Sequence, residues 1–99
     1  MNQENEQLSP EQQQIADKCI ELAEFLIEKN RKYGNSALNP IRVFSKASML
    51  EQIKVRMDDK INRIRNEQTD EDEDVYWDLA GYLVLYMVAR DRMKGEQNE

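Results

Sequence analysis

Apolar residues recur along the chain with a helical rather than a strand-like period. In the first segment they fall every three or four positions, at Ile15, Ala16, Cys19, Ile20, Leu22, Ala23, Leu26 and Ile27. Such spacing forms one wide apolar face of a helix. Ser9, Pro10 and Gln12 are typical of a helix start, because serine caps, proline suits the first turn and glutamine completes a capping box. The pattern predicts a helix from Pro10 to about Lys32, ending near Gly34.

Two further helices are predicted after a loop. Residues 33–45 contain glycine, asparagine and proline and are typical of a loop. Residues 46–66 carry one narrow apolar stripe, formed by Leu50, Ile53, Met57, Ile61 and Ile64. The third helix should begin near residue 72, capped by Thr69 or Asp70, and run to about 93. Its apolar residues are distributed around the whole circumference of the helix and not along one face. We therefore expect this helix to be buried on most sides.

These elements predict an all-α fold, either a three-helix bundle or a helical hairpin plus one helix. We expect residues 1–8 to be a disordered N-terminal tail, residues 9–93 a single helical domain and residues 94–99 a polar C-terminal tail. In a bundle of three helices, the first two rarely cover the third on all sides. The sequence therefore predicts a homodimer or a higher homo-oligomer, with the third helix at or near the interface.

Composition narrows the class of protein. The 99 residues carry a net charge of −6, which argues against binding duplex nucleic acid through a broad basic surface. No apolar run reaches the roughly 18 residues of a membrane span, so we expect no membrane association. The single cysteine, Cys19, is expected to pack in the core and fits a reducing cytoplasm. There is no histidine, so any chemistry depends on carboxylates, lysine, arginine and tyrosine.

Asp78 lies within the most apolar stretch of the chain, YWDLAGYLVLY. A buried carboxylate needs a partner or takes up a proton. One interpretation is an ion pair with a lysine or arginine of the second helix. The other is a Mg²⁺ (or Mn²⁺) site, because Asp74 lies one turn earlier and hard cations prefer clustered oxygens. Asp70 and Glu71 lie one turn further back, and Asp59 of the second helix is another candidate ligand.

The second helix has a basic flank formed by Arg56, Lys60 and Arg63. One interpretation is an ordinary solvated flank, in which Asp59 pairs with Arg56 or Arg63. The functional interpretation is a phosphate-binding edge, because arginine gives bidentate contacts and lysine a point charge.

The end of the first helix, EKNRKYGNS, offers polar and aromatic groups. Tyr33 could stack on a base, while Asn30 and Asn35 could read its edge. The alternative is a plain helix end with an aromatic lid and Gly34 as its C-terminal cap. The glutamates of the first helix, Glu21, Glu24 and Glu28, fall opposite its apolar face and are expected to be solvated.

The order of these segments resembles a known family. The stretches KNRKYGN, VRMDDKINRI and EDVYWDLAGYLVLY, within residues 29–86, resemble the nucleotide modification associated domain of bacteriophage and prophage proteins. That family looks related to the all-α nucleoside triphosphate pyrophosphohydrolases of the MazG and dimeric dUTPase type. The resemblance implies an oligomeric, Mg²⁺-dependent enzyme in the host cytoplasm, which cleaves a (d)NTP between its α- and β-phosphates.

The resemblance also implies roles for particular residues. Asp78 matches the final Asp of the MazG-type Glu-x-x-Asp pair, but Val75 stands at the Glu position. Asp74 would therefore hold the metal with Asp78, joined by Asp59. Lys60 and Arg63 would neutralise the charge that develops on the phosphates. The remaining candidates would bind the nucleotide, and these are Asn30, Tyr33, Asn35 and Arg56. The paired glutamates expected on the helix before Asp78 are missing.

Two functions follow from the sequence. The leading hypothesis is a Mg²⁺-dependent, nucleotide-binding, MazG-like protein of phage or prophage nucleotide metabolism, with or without (d)NTP pyrophosphohydrolase activity. The alternative is a non-enzymatic small acidic phage protein that binds a host protein or sequesters a nucleotide signal. Metal should stabilise the first and leave the second unchanged.

Overall fold

The computed structural model of the chain describes residues 7–40, 45–67 and 74–97. Within these ranges the chain folds into three α-helices and no strand: α1 (Pro10–Tyr33), α2 (Met49–Arg65) and α3 (Val75–Gln97). The all-α class predicted from the apolar periodicity is therefore confirmed. None of these helices combines the length and the apolar character needed to cross a bilayer.

The first helix begins and ends where the sequence predicts. The Ser9 hydroxyl accepts from the backbone N–H of Gln12 at 3.1 Å, and the Gln12 side chain accepts from the backbone N–H of Ser9 at 2.8 Å. Together these bonds form the complete capping box. Gly34 follows the helix with a φ of 72°, a conformation that glycine adopts at little cost.

The starts of the other two helices are set by side-chain caps. Ser48 accepts from the backbone N–H of Glu51 at 3.2 Å, so α2 begins three residues later than the predicted residue 46. Asp74 Oδ1 accepts from the backbone N–H groups of Tyr76 and Trp77, both at 3.1 Å, at the start of α3. The predicted caps Thr69 and Asp70 lie outside the described residues. Helix α3 extends to Gln97, beyond its predicted end.

Helix α3 is the central element, since α1 and α2 both pack on it. In the described residues, no Cα atom of α1 comes within 8 Å of one in α2. Helix α1 lies close to α3 at Gly81, where an added Cβ would lie 2.9 Å from Leu26 Cδ2. Beside it, the rings of Phe25 and Trp77 meet with their centroids 5.6 Å apart. The glycine thus lets α1 lie against α3 while α2 occupies a separate side.

The core of the single chain is small. In the described part, only Ile53 and Ala89 are fully buried apolar residues, at 2% and 0% exposure. The Cα radius of gyration is 16.7 Å, against about 13 Å for a compact domain of 100 residues. Cys19 is exposed, so its predicted core position is wrong within one chain. The burial predicted for most sides of α3 is not reached within one chain.

Candidate functional site

A pocket of about 260 Å³ lies between α1 and α2, with α3 as its floor. It exists because α1 and α2 are held apart on different sides of α3. Its size is near the lower end of small-molecule pockets, which hold about 300–1,000 Å³. The polar and aromatic side chains around it come from all three helices and the loop after α1: Phe25, Lys29, Asn30, Tyr33, Asn35, Ser36, Lys60, Asp78 and Tyr82.

Asp78 lies at the floor of this pocket between two lysines. Its Oδ1 atom is 3.8 Å from Lys29 Nζ, and its Oδ2 atom is 3.6 Å from Lys60 Nζ. The Asp78 and Lys60 side chains are 15% and 13% exposed, whereas Lys29 is 52% exposed. One carboxylate therefore faces two ammonium groups. This partial burial strengthens the attraction relative to a surface pair.

The ion pair with the second helix, one of the two interpretations of Asp78, is present in the structure. Lys29 is a second partner that sequence reasoning missed. The signal was its position, three residues after Leu26 on the apolar face of α1. A lysine that continues an apolar face needs a carboxylate nearby or a route to solvent.

The rim of the pocket carries the three residues predicted to contact a base or sugar. Asn30 Nδ2 donates to Asn35 Oδ1 at 3.1 Å, which ties the end of α1 to the loop that follows it. Each amide can still make further hydrogen bonds. Tyr33 presents its ring to solvent at 64% exposure, with Lys32 Nζ 5.3 Å from the ring centroid. Amide, aromatic and cationic groups thus converge on one opening.

The remaining predicted site residues lie elsewhere. Arg56 is an exposed residue of α2 and does not line the pocket in the described structure. Arg63 Nε lies 3.8 Å from Asp59 Oδ2 one turn away on the same helix. Asp74 caps α3 and lines a shallow groove on the far side of Lys29. The structure therefore brings five of the nine predicted residues together and separates four.

The shallow groove beside Trp77 is lined by charged residues of α1 together with Asp74. The three α1 glutamates that line it are exposed, as predicted: Glu21, Glu24 and Glu28. Glu21 lies 2.6 Å from Lys18, and this hydrogen bond and the glutamate charge raise the pKa of Lys18 above its ordinary value. Glu28 lies 3.4 Å from Arg31. These pairs form within α1 and are typical of a solvated helix face.

The donor atoms of the described residues do not fit the Mg²⁺ ion that the resemblance implies. Each Asp78 oxygen faces an ammonium group, and Asp74 Oδ1 already accepts two backbone N–H groups. In the described ranges, no three carboxylate or thiol groups come together as a metal site. Asp70 and Glu71 lie outside those ranges. The metal roles of Asp59, Asp74 and Asp78 stay predictions, and no mechanistic step through a metal follows from this arrangement.

No protein-family model matches the chain, and neither a curated protein nor a solved structure is significantly similar to it. The resemblance to the nucleotide modification associated domain therefore stays a prediction.

Proposed function

We propose that the chain binds a nucleotide of the NTP or dNTP type in the pocket between α1 and α2. The observation that supports this is the meeting of three kinds of group in one opening. Lys29 and Lys60 supply positive charge for phosphates. The exposed ring of Tyr33 suits stacking on a base, and the amides of Asn30 and Asn35 suit its polar edge.

Asp78 serves in this proposal as the residue that orients the lysines. It lies between the two ammonium groups and draws both towards the pocket floor. An ammonium group has three donors, so each lysine can contact Asp78 and a phosphate oxygen together. The carboxylate also offsets part of the positive charge when no ligand is bound, which lowers the cost of holding two lysines side by side.

Hydrolysis of the nucleotide is the further activity that the resemblance implies. In that reaction Lys60 and Arg63 would neutralise phosphate charge, in a Mg²⁺-dependent protein of phage or prophage nucleotide metabolism that acts in the host cytoplasm. The geometry supports binding better than hydrolysis, because Arg63 pairs with Asp59 along α2 and lies away from the pocket lining. Arg56 would contact the nucleotide only if the bound ligand extended beyond the pocket along α2.

A second candidate function is protein binding, and a separate observation favours it. Large apolar side chains are exposed on all three helices, including Ile15 and Ile27 on α1 and Leu83 and Met87 on α3. A host protein could cover such a surface. We propose that a second copy of the chain covers the α3 part and completes the bundle, as the sequence predicts.

Thermal unfolding with a panel of NTPs and dNTPs tests the nucleotide proposal. Ligand that binds only the folded chain raises its Tm, and the size of the rise depends on concentration and affinity. We expect at least one nucleotide to raise Tm and its unphosphorylated nucleoside to raise it much less. If the entire panel leaves Tm unchanged at millimolar concentration, the proposal is wrong.

A further inference from the structure

A continuous apolar stripe runs along the exposed side of α3. It consists of Tyr76, Ala80, Leu83 and Met87, at spacings of four, three and four residues. Three of them are large and exposed, at 67% for Tyr76, 46% for Leu83 and 46% for Met87. Spacings that alternate between three and four residues are those of a helix that packs along another helix.

The stripe is on the side of α3 that the rest of the chain leaves uncovered. A helix turns by about 100° per residue, which puts the stripe opposite the buried residues Gly81 and Ala89. Helix α1 lies against α3 at Gly81 and Trp77. Helix α2 reaches α3 at Asp78 through Lys60. In the described part of the chain, two sides of α3 are therefore packed and the third presents the stripe.

The chain exposes more surface than a compact monomer of its mass. The chain exposes 8454 Å², whereas a compact monomer of this mass exposes about 5,900 Å². A stable interface buries about 800 Å² on each partner. The excess surface exceeds that amount, and the α3 stripe is a part of the exposed surface that is arranged for helix packing.

The charges at the two ends of α3 favour a second copy in antiparallel orientation. The sequence is acidic at the start of the helix, where Asp74 follows the run DEDE at 70–73. Towards the other end, Arg90, Arg92 and Lys94 outnumber Asp91 and Glu96. Antiparallel pairing places the acidic end of each copy near the basic end of the other, whereas parallel pairing places the two acidic ends together.

We infer that α3 is the dimer interface, in which the stripes of two copies pack antiparallel about a two-fold axis. The axis passes between Ala80 and Leu83. Tyr76 then faces Met87 of the partner subunit, and Ala80 faces Leu83 of the partner subunit, so each contact occurs twice. This inference rests on the part of the proposed function that pairs two copies, and it is independent of the ligand in the pocket.

Sedimentation equilibrium of the full chain tests whether the α3 stripe forms the dimer interface. We expect a dimer at micromolar concentration, and we expect Leu83→Glu to convert it to a folded monomer with unchanged helical circular dichroism. Val55→Glu is the matched control, because Val55 is a similarly exposed apolar residue on α2. A monomeric wild type overturns the inference, and so does a dimer that Val55→Glu dissociates and Leu83→Glu does not.

Disulfide cross-linking tests the orientation without a disruptive charge. The background is Cys19→Ser, which removes the native thiol, with either Tyr76→Cys or Met87→Cys added. Antiparallel pairing separates Tyr76 from Tyr76 of the partner subunit by about 16 Å along the helix axis. We therefore expect mixed 76–87 disulfides when the two variants are combined, and little cross-linking of Tyr76→Cys alone. Efficient 76–76 disulfides would show parallel pairing and overturn the inference.

The two proposals fail separately in these experiments. A monomeric wild type whose Tm is still raised by a nucleotide refutes the α3 interface alone. Antiparallel cross-links in a chain that binds no nucleotide support the interface and leave the pocket proposal refuted.

Discussion

The carboxylate of Asp78 lies 3.6 Å from the ammonium group of Lys60, and these two side chains are 15% and 13% exposed. Their pairing joins α3 to α2 at the floor of the pocket. The same contact therefore has two consequences, because it stabilises the packing of the helices and fixes a cation where a ligand can reach it. Substitutions of Asp78 and of Lys60 separate these two roles.

Replacing Asp78 by Asn should lower the free energy of unfolding by about 1–3 kcal/mol, because Lys60 loses the charge of the carboxylate 3.6 Å away while it stays largely buried. The change retains the size of the side chain. Urea unfolding followed by circular dichroism measures the loss. The matched control is Asp59→Asn, which breaks the more exposed pair with Arg63 and should cost under about 0.5 kcal/mol. Equal losses for the two variants would contradict a structural role for the Asp78 pair.

Replacing Lys60 by Met should lower nucleotide affinity about 10- to 100-fold, since a hydrogen bond to a charged group contributes about 1.5–3 kcal/mol. Titration calorimetry measures the change. Lys54→Met is the control, because Lys54 is an exposed α2 lysine that pairs with Glu51 at 3.3 Å, away from the pocket. Wild-type affinity in Lys60→Met, or an equal loss in Lys54→Met, would place the phosphates elsewhere.

The ring of Tyr33 should contribute to binding through stacking. Tyr33→Ala is expected to weaken nucleotide binding by about 1–3 kcal/mol, the range measured for base–aromatic contacts. Tyr33→Phe keeps the ring and should bind nearly as well as the wild type. Both variants should unfold like the wild type without ligand, because the side chain is exposed. If the alanine variant binds nucleotide with wild-type affinity, Tyr33 has no role in binding and only ends α1.

Nucleotide binding should persist in EDTA, because Lys29 and Lys60 supply the charge that holds the phosphates. Thermal shifts measured in EDTA and in Mg²⁺ test this. Loss of every shift in EDTA would contradict binding through the lysines and favour the metal site. Product analysis in Mg²⁺ tests the hydrolysis implied by the resemblance, which Asp78→Asn should abolish. Turnover that survives this change would remove Asp78 from the reaction.

The contact between α1 and α3 should be sensitive to a branched side chain at Gly81. A Cβ added there would lie 2.9 Å from Leu26 Cδ2, so the branched side chain of Gly81→Val should displace Leu26 from α3 and lower stability by about 1–3 kcal/mol. Because α1 forms one wall of the pocket, nucleotide affinity should fall as well. Gly95→Val is the control, since an added Cβ at Gly95 meets nothing within 4 Å. Comparable unfolding curves for the two variants would contradict the close packing.

Local features of the fold could be predicted from sequence because their causes are local. The capping box of Ser9 and Gln12 depends on residues three positions apart, and the positive φ of Gly34 follows a helix end. The start of α2 was predicted too early, because the apolar stripe does not reveal which nearby serine caps. Ser48 does so through a single hydrogen bond to Glu51.

The sequence could predict which types of residue contribute to the site, but it could not predict how those residues are arranged in space. Asn30, Tyr33 and Asn35 lie within a few residues of each other, so the helix end brought them together. The partnership of Lys29 with Asp78 depends on how α1 packs on α3, which apolar periodicity does not determine. For the same reason, the separation of Arg63 from the pocket became visible only once the orientation of α2 was known.

The most direct test of the central claim is mapping of backbone amide chemical shifts in ¹⁵N-labelled protein during titration with the nucleotide that most raises Tm. Binding in the pocket predicts saturable changes at residues 29–35, at Lys60 and at residues 78–82. Changes at Val55 and in the first turns of α1 should be small. Saturable changes confined to the exposed side of α3, or no saturable changes at all, would contradict the account.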